Sequence, residues 1–234
     1  MGETAIVTGA AVRVGRAIAL QLSSQGYELV IQYRNSEKAA LDLVNQIHHA
    51  GGLATASVLD LSDIEAIPRW VDQLRGICAN PITGIVNCAA LFEKGEDIEK
   101  HLTVNTIAAY RLILEVHRGL EAGMQGCAVN ITDAHVQQPA AGYAAYYASK
   151  GALESLTFAL ARDLGPNFRV NAVAPGLVLA REGKDGKFFE RRAQALPLGR
   201  TGSPEDIAAA VSYLMRSDFV TGEIIRVDGG DHLL

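Results

Sequence analysis

A chain of 234 residues with a formal net charge of −5 can bury one sizeable core and reads as a single domain over 1–234. It carries no basic stripe and no block of like charge, which excludes nucleic acid and a membrane surface as expected partners and leaves a small molecule. Cys78, Cys88 and Cys127 are odd in number and lack metal-ligand spacing, so buried thiols, no metal and a reducing compartment are expected; without an export leader or a membrane-length apolar run, that compartment is the cytoplasm.

AIVTG (5–9) reads as a strand that turns into a helix near 16–25. In TGAAVRVG, Gly9 and Gly15 fit the first and last glycines of T-G-x-x-x-G-x-G, while Arg13 stands in the place of the middle one. A strand, tight turn and helix in this order offer backbone N–H groups and a helix N-terminus to the phosphates of a dinucleotide, with Val14 in the turn. Arg13 is either a solvated loop charge or a ligand for phosphate and for a flat aromatic ring.

The second strand, ELVIQY (28–33), ends in Tyr33, Arg34, Asn35 and Ser36 and precedes a helix over 37–50. An NAD site places an acid here for the ribose 2′-hydroxyl; one cation and small polar groups instead favour the 2′-phosphate of NADPH. TASVLD (55–60) follows, and Asp60, with Leu61 beside it, either meets the adenine edge or caps the helical segment 63–77. GIVNCA (84–89) brings Asn87 and Ala89 to the end of a fourth strand, ahead of a helical stretch over 96–120 that contains Asn105.

CAVNIT (127–132) runs into Asp133 and then a helix over 143–164. Tyr146 and Lys150 share a face of that helix at i, i+4, where the ammonium stabilises a phenolate and makes tyrosine a usable acid near neutral pH. Tyr143 and Tyr147 lack that relation and read as packing or pocket wall. His135 reads as an ordinary loop histidine, with ligand contact as the alternative. RVNAVAP (169–175) delivers Pro175 and Gly176, and Leu177–Thr201 has no clear element, so it is expected to be a flexible substrate loop or a surface insertion. SPED at 203–206 supplies a serine N-cap, a proline and two acids to a helix over 204–216, and EIIRVDGG (223–230) is a last strand. Near-continuous apolar strands separated by helices predict an α/β, doubly wound parallel sheet of the Rossmann type with helices on both faces.

These residues together resemble the short-chain dehydrogenase/reductases: the Gly9/Gly15 turn, Asn87-Cys88-Ala89, Asn105 in LTVNT, Tyr146 with Lys150, Pro175-Gly176 and VTG…VDGG. The resemblance implies that Tyr146 is the proton donor, that Lys150 lowers its pKa and holds the nicotinamide ribose, and that Asn105 keeps a water in the proton relay. It also implies a homotetramer.

Departures from the family narrow it. The second glycine is Arg13, the usual Asn-Ala-Gly is Cys88-Ala89-Ala90, the threonine after Pro-Gly is Ala180, and the catalytic serine position, thirteen residues before Tyr146, holds Asp133. Arg13 and Asp133, together with TGAAVRVG, QPAAGYAAYYASKGAL, Phe92 and FVTGEIIRVDGGDHLL, resemble the pteridine reductase branch, which includes the bacterial dihydromonapterin reductases. By that resemblance Phe92 sandwiches a pterin against nicotinamide. An ionised carboxylate repels a carbonyl oxygen, whereas a pterin presents N–H donors. The expected function is therefore NADPH-dependent hydride transfer to a C=N bond of a dihydropterin, dihydrofolate being a further candidate. The alternatives are a carbonyl reductase for oxoacyl, sugar or quinone substrates, with Asp133 a tolerated change, and a catalytically dead NADPH-binding regulator, which Tyr146, Lys150 and Asn105 argue against.

Overall fold

The central apolar runs pair side by side because burial on both faces requires them to be covered on both, while the runs 54–58 and 224–227 are only part-buried at the sheet edges. In the computed structural model, which describes residues 2–179 and 186–234 (the backbone alone for 186–189), seven strands form one sheet. They are β1 (Thr4–Val7), β2 (Glu28–Tyr33), β3 (Ala54–Val58), β4 (Ile82–Asn87), β5 (Gly126–Ile131), β6 (Phe168–Pro175) and β7 (Ile224–Val227). Every pairing is parallel, in the order β3-β2-β1-β4-β5-β6-β7. The order reverses between β1 and β4, and the crevice beyond the carboxyl ends of those strands is where such a sheet receives ligands.

Helices α1 (Arg13–Ser24), α2 (Glu37–His49) and α8 (Pro204–Arg216) lie with the sheet face that buries Leu22, Leu43 and Leu214. The opposite face, which buries Trp70, Ile113 and Leu160, is covered by α3 (Ile67–Ile77), α5 (Ala108–Arg118) and α6 (Ala144–Asp163). The expected cap at SPED is present: Ser203 Oγ accepts from Asp206 N at 3.3 Å and Asp206 Oδ2 accepts from Ser203 N at 2.8 Å, with Pro204 in the first turn. No described helix is long and apolar enough to cross a membrane.

Three expected elements differ. The helix over 96–120 is broken into α4 (Ile98–Leu102), a π-helical turn at Thr103–Ile107 and α5. The last strand ends at Val227, because Asp228 Oδ1 takes the Gly230 N–H at 3.0 Å and turns VDGG out of the ladder. Within the stretch expected to lack an element, α7 (Gly186–Ala195) forms from the helix-favouring run FFERRAQA. Residues 180–185, including Ala180, lie outside the described residues.

Candidate active site

The first strand and first helix meet in a turn that only small residues can close. Gly9 has φ +63°, and a Cβ on Gly15 would lie 2.3 Å from the Gly9 carbonyl oxygen. Gln32, a polar residue inside an otherwise apolar strand, clamps this turn: its Oε1 accepts from Gly9 N at 2.8 Å and its Nε2 donates to Leu59 O at 2.7 Å. Thr8 Oγ1 accepts from Cys88 N and Ala89 N at 2.9 and 3.0 Å, fixing the end of β4 against the same turn. No side chain caps the N-terminus of α1. Its first N–H groups therefore suit a phosphate, so the site fits a dinucleotide.

Arg13 takes the place of the pattern's second glycine and keeps a glycine's backbone, with φ +54°. A left-handed arginine is strained by about 1–3 kcal/mol, and this one lines the cleft. β2 ends at the half-buried Tyr33, and Arg34, Asn35 and Ser36 beyond it are exposed. Asp60 is held below the ordinary carboxylate range by the N–H and hydroxyl of Ser62, to which the nearby Arg34 charge adds. Asp63, not Asp60, caps the following turn, with Oδ1 accepting from Ala66 N at 3.2 Å. The capping reading of Asp60 is thereby replaced, leaving it beside Arg34, while Leu61 is buried beneath. Asn87 is also internal: its Nδ2 donates to Asn130 Oδ1 at 2.9 Å, and Asn130 donates on to Thr157.

At the other end of the crevice, α6 turns its Tyr-x-x-x-Lys spacing into geometry. Tyr146 Oη donates to Asp133 Oδ2 at 2.9 Å. Lys150, only 2% exposed, donates from Nζ to Ile131 O at 2.7 Å and stands 5.9 Å from the Tyr146 ring centroid. Burial pulls the Lys150 ammonium down to about 8, against the opposing effect of the Asp133 charge. Asn105 sits in the π-helical turn, and that turn directs its side chain inward. Its Oδ1 accepts from Leu91 N at 2.7 Å, and its Nδ2 donates to Leu91 O and Ser149 Oγ at 3.0 and 2.9 Å. Both amide hydrogens are thus committed to the protein, and Asn105 braces the loop before Phe92 against α6.

Phe92, 40% exposed, lies 4.4 Å from the Tyr146 ring and 5.1 Å from that of Tyr143, centroid to centroid. It is a wall rather than core. Together with Arg13, Val14, Asp133, Tyr143, Tyr147, Pro175 and Gly176 it lines an open cleft of about 670 Å³. Tyr143 and Tyr147 are pocket wall, as expected.

A family model described as enoyl-(acyl carrier protein) reductase matches residues 9–232. The chain belongs to the short-chain dehydrogenase/reductase family. Among curated relatives of this family, the trihydroxynaphthalene reductase PfmaI of Pestalotiopsis fici is 31% identical, over 97% of this chain and 89% of its own length. Among solved structures, the FolM alternative dihydrofolate reductase 1 of Brucella canis, complexed with NADP, superposes with a TM-score of 0.90 at 31% identity, covering 99% of this chain and 94% of that one. A blue fluorescent protein from a metagenomic library, in complex with NADPH, gives 0.89 at 30% identity, covering 98% and 97%. Of the residues that the sequence resemblance singled out, Asn105 bonds to Ser149 on α6, Lys150 reaches Ile131 O, and Tyr146 donates to Asp133, a carboxylate rather than a hydroxyl.

The part Gln32 plays was not read from the sequence: one amide in a run of apolar residues is a signal, but no local rule assigns it to the turn. His135, expected as an ordinary loop histidine with ligand contact as the alternative, lines the cleft: its backbone N–H donates to Asp133 Oδ1 at 2.8 Å, and its Nε2 lies 2.8 Å from Asp231 Oδ2.

Proposed function

We propose that this protein is an NADPH-dependent reductase that delivers hydride to a C=N bond of a dihydropterin, giving the tetrahydropterin. The observation that carries the reading is the 2.9 Å bond from Tyr146 Oη to Asp133 Oδ2 in a cleft walled by Arg13 and Phe92. A carboxylate as the tyrosine's partner suits a ring that offers N–H donors and disfavours a bare carbonyl oxygen. NADPH is the cofactor of this proposal: the structural neighbours carry NADP or NADPH, and Arg34 stands where an NAD site has an acid.

NADPH supplies the hydride when bound. Arg13 and Phe92 hold the flat ring, one by charge and stacking and the other by its face. Asp133 accepts ring N–H groups and so fixes which edge meets Tyr146. By the family resemblance, a 7,8-dihydropterin reduced at C6 takes its proton at N5, an oxidised pterin reduced at C7 takes the Tyr146 proton at N8, and Asp133 helps relay the proton through Tyr146. Lys150 stabilises the phenolate left behind.

A second reading, a ketone reductase, is favoured by the names of the curated relatives, such as the trihydroxynaphthalene reductase. NADPH oxidation measured side by side with dihydromonapterin, dihydrobiopterin, dihydrofolate and a ketone panel separates the two. Turnover of ketones alone would overturn the pterin reading. A homotetramer in the cytoplasm completes the proposal. The exposed Phe158, Tyr213 and fully exposed Phe219 supply apolar surface for self-association, and a monomer mass by light scattering would remove the tetramer.

A further inference from the structure

Asp231 opens a short 3₁₀ turn after β7, and its side chain is almost wholly buried. An arginine and a histidine converge on it. Arg192 Nη2, from α7, donates to Oδ1 at 3.0 Å and to Oδ2 at 3.3 Å, and His135 Nε2 approaches Oδ2 to 2.8 Å outside hydrogen-bond geometry, an ion pair when the imidazole is protonated. His135 in turn touches Asp133 twice, through its backbone N–H at 2.8 Å and through Nδ1 at 3.4 Å from the same Oδ1. The other oxygen of Asp133 receives the Tyr146 hydroxyl. The result is a file of polar side chains, Tyr146, Asp133, His135, Asp231 and Arg192, running from the catalytic tyrosine to α7. The imidazole is held above its ordinary range, first by its bond to Asp133 and then, against burial, by the charges of Asp231 and Asp133.

We infer that His135 and Asp231 are positioning residues that join helix α7 to Asp133, so that the docking of α7 sets the orientation of the carboxylate that faces the substrate. The backbone supports the same link: Leu198 N, just after α7, donates to Gly229 O at 3.2 Å, so the turn bearing Asp231 is tied to α7 at two points. A buried carboxylate is tolerated only where it is paired, and deleting one cation exposes the cost of the charge left behind. The file is therefore a single unit: weakening Arg192 frees Asp231, and a freed Asp231 no longer fixes His135. The catalytic half of the inference rests on the reductase reading above; the mechanical half does not.

The test uses the full-length protein saturated with NADPH and follows hydrogen exchange in Arg192→Gln, Asp231→Asn and His135→Gln. The reporter is the stretch 133–138, where the His135 amide is bonded to Asp133. Arg192→Gln, which touches nothing in that stretch, raises its exchange several-fold, and Asp231→Asn raises exchange there and over 186–195. If Arg192→Gln loosens 186–195 alone, the coupling is overturned. In parallel, turnover is measured with whichever pterin or ketone the wild type reduces fastest. Asp231→Asn lowers kcat about tenfold, the scale of one charge-assisted hydrogen bond, leaves the KM for NADPH unchanged, and is partly rescued in Asp231→Glu. An unchanged kcat, or a loss confined to NADPH binding, overturns the positioning role. Wild-type inactivity toward pterins sinks the pterin reading while the exchange result still decides the coupling.

Discussion

Tyr146 Oη donates to Asp133 Oδ2 across 2.9 Å, on elements that meet only in the folded chain. That relationship distinguishes this site from one built on a hydroxyl partner, because a carboxylate can take up the tyrosine proton as well as orient a donor on the substrate. Tyr146→Phe removes the proton donor and lowers kcat by about 10²- to 10⁴-fold, with NADPH affinity measured by fluorescence quenching unchanged. Asp133→Ser restores a hydroxyl. It lowers kcat/KM for dihydropterins while leaving or improving reduction of simple ketones, and unaltered dihydropterin turnover in that variant would remove the aspartate from the mechanism.

Much of this was legible in the sequence, and the reason differs by element. The seven strands and the α1 turn were readable because burial on both faces forces continuous apolar runs, and close approach at Gly15 forces a glycine. Tyr146 and Lys150 were readable because helix geometry fixes their proximity locally. The π-helical turn was not: one extra residue in a turn leaves no mark on an amphipathic pattern that continues on both sides of Thr103–Ile107. Helix α7 was hidden because its favourable run follows charges and glycines that read as loop. His135 and Asp231 meet through tertiary structure alone, and no periodicity connects residues so distant along the chain.

Arg13 combines strain and function in one residue. Its φ of +54° suits glycine, so Arg13→Gly relieves the left-handed backbone. Set against the greater chain entropy of glycine, the net gain is about 1 kcal/mol, read as a rise of roughly 2–4 °C in Tm. The same variant loses the guanidinium at the cleft, so the KM for the pterin rises about tenfold, the scale of one charge-assisted bond. Higher stability together with weaker substrate binding is the signature; loss of stability would mean the arginine's contacts outweigh its strain.

On the NADPH reading, Arg34 sets the choice between the two nicotinamide cofactors. It is exposed, its charge reaches Asp60, and it stands just after β2, where an NAD site has an acid that would repel a 2′-phosphate. Arg34→Ala raises the KM for NADPH by about 10- to 100-fold, the scale of one or two charge-assisted bonds to phosphate, and leaves the KM for NADH nearly unchanged. Arg34→Asp goes further and reverses the preference. Wild-type turnover with NADH equal to that with NADPH would end the argument before any variant is made.

Lys150 leaves a pH signature in stability because its pKa is about 8 in the fold against 10.5 for the free side chain, burial being the main cause. Between those values the unfolded chain holds a proton that the folded chain has released, so unfolding takes up a proton and stability from this group rises with pH across that window. Below about 8 both states are protonated, and the full burial penalty of the ammonium is present. Other groups also titrate above pH 8, so the measurement is a difference: urea unfolding of the wild type and of Lys150→Met from pH 7 to 10.5. The wild type gains relative to the variant as pH rises through this range, while the variant's loss of turnover, about 10²-fold or more, is greatest below about pH 8, where the wild-type ammonium is still charged. A stability difference that stays flat across the window would show that the ammonium is hydrated rather than buried beside Ile131.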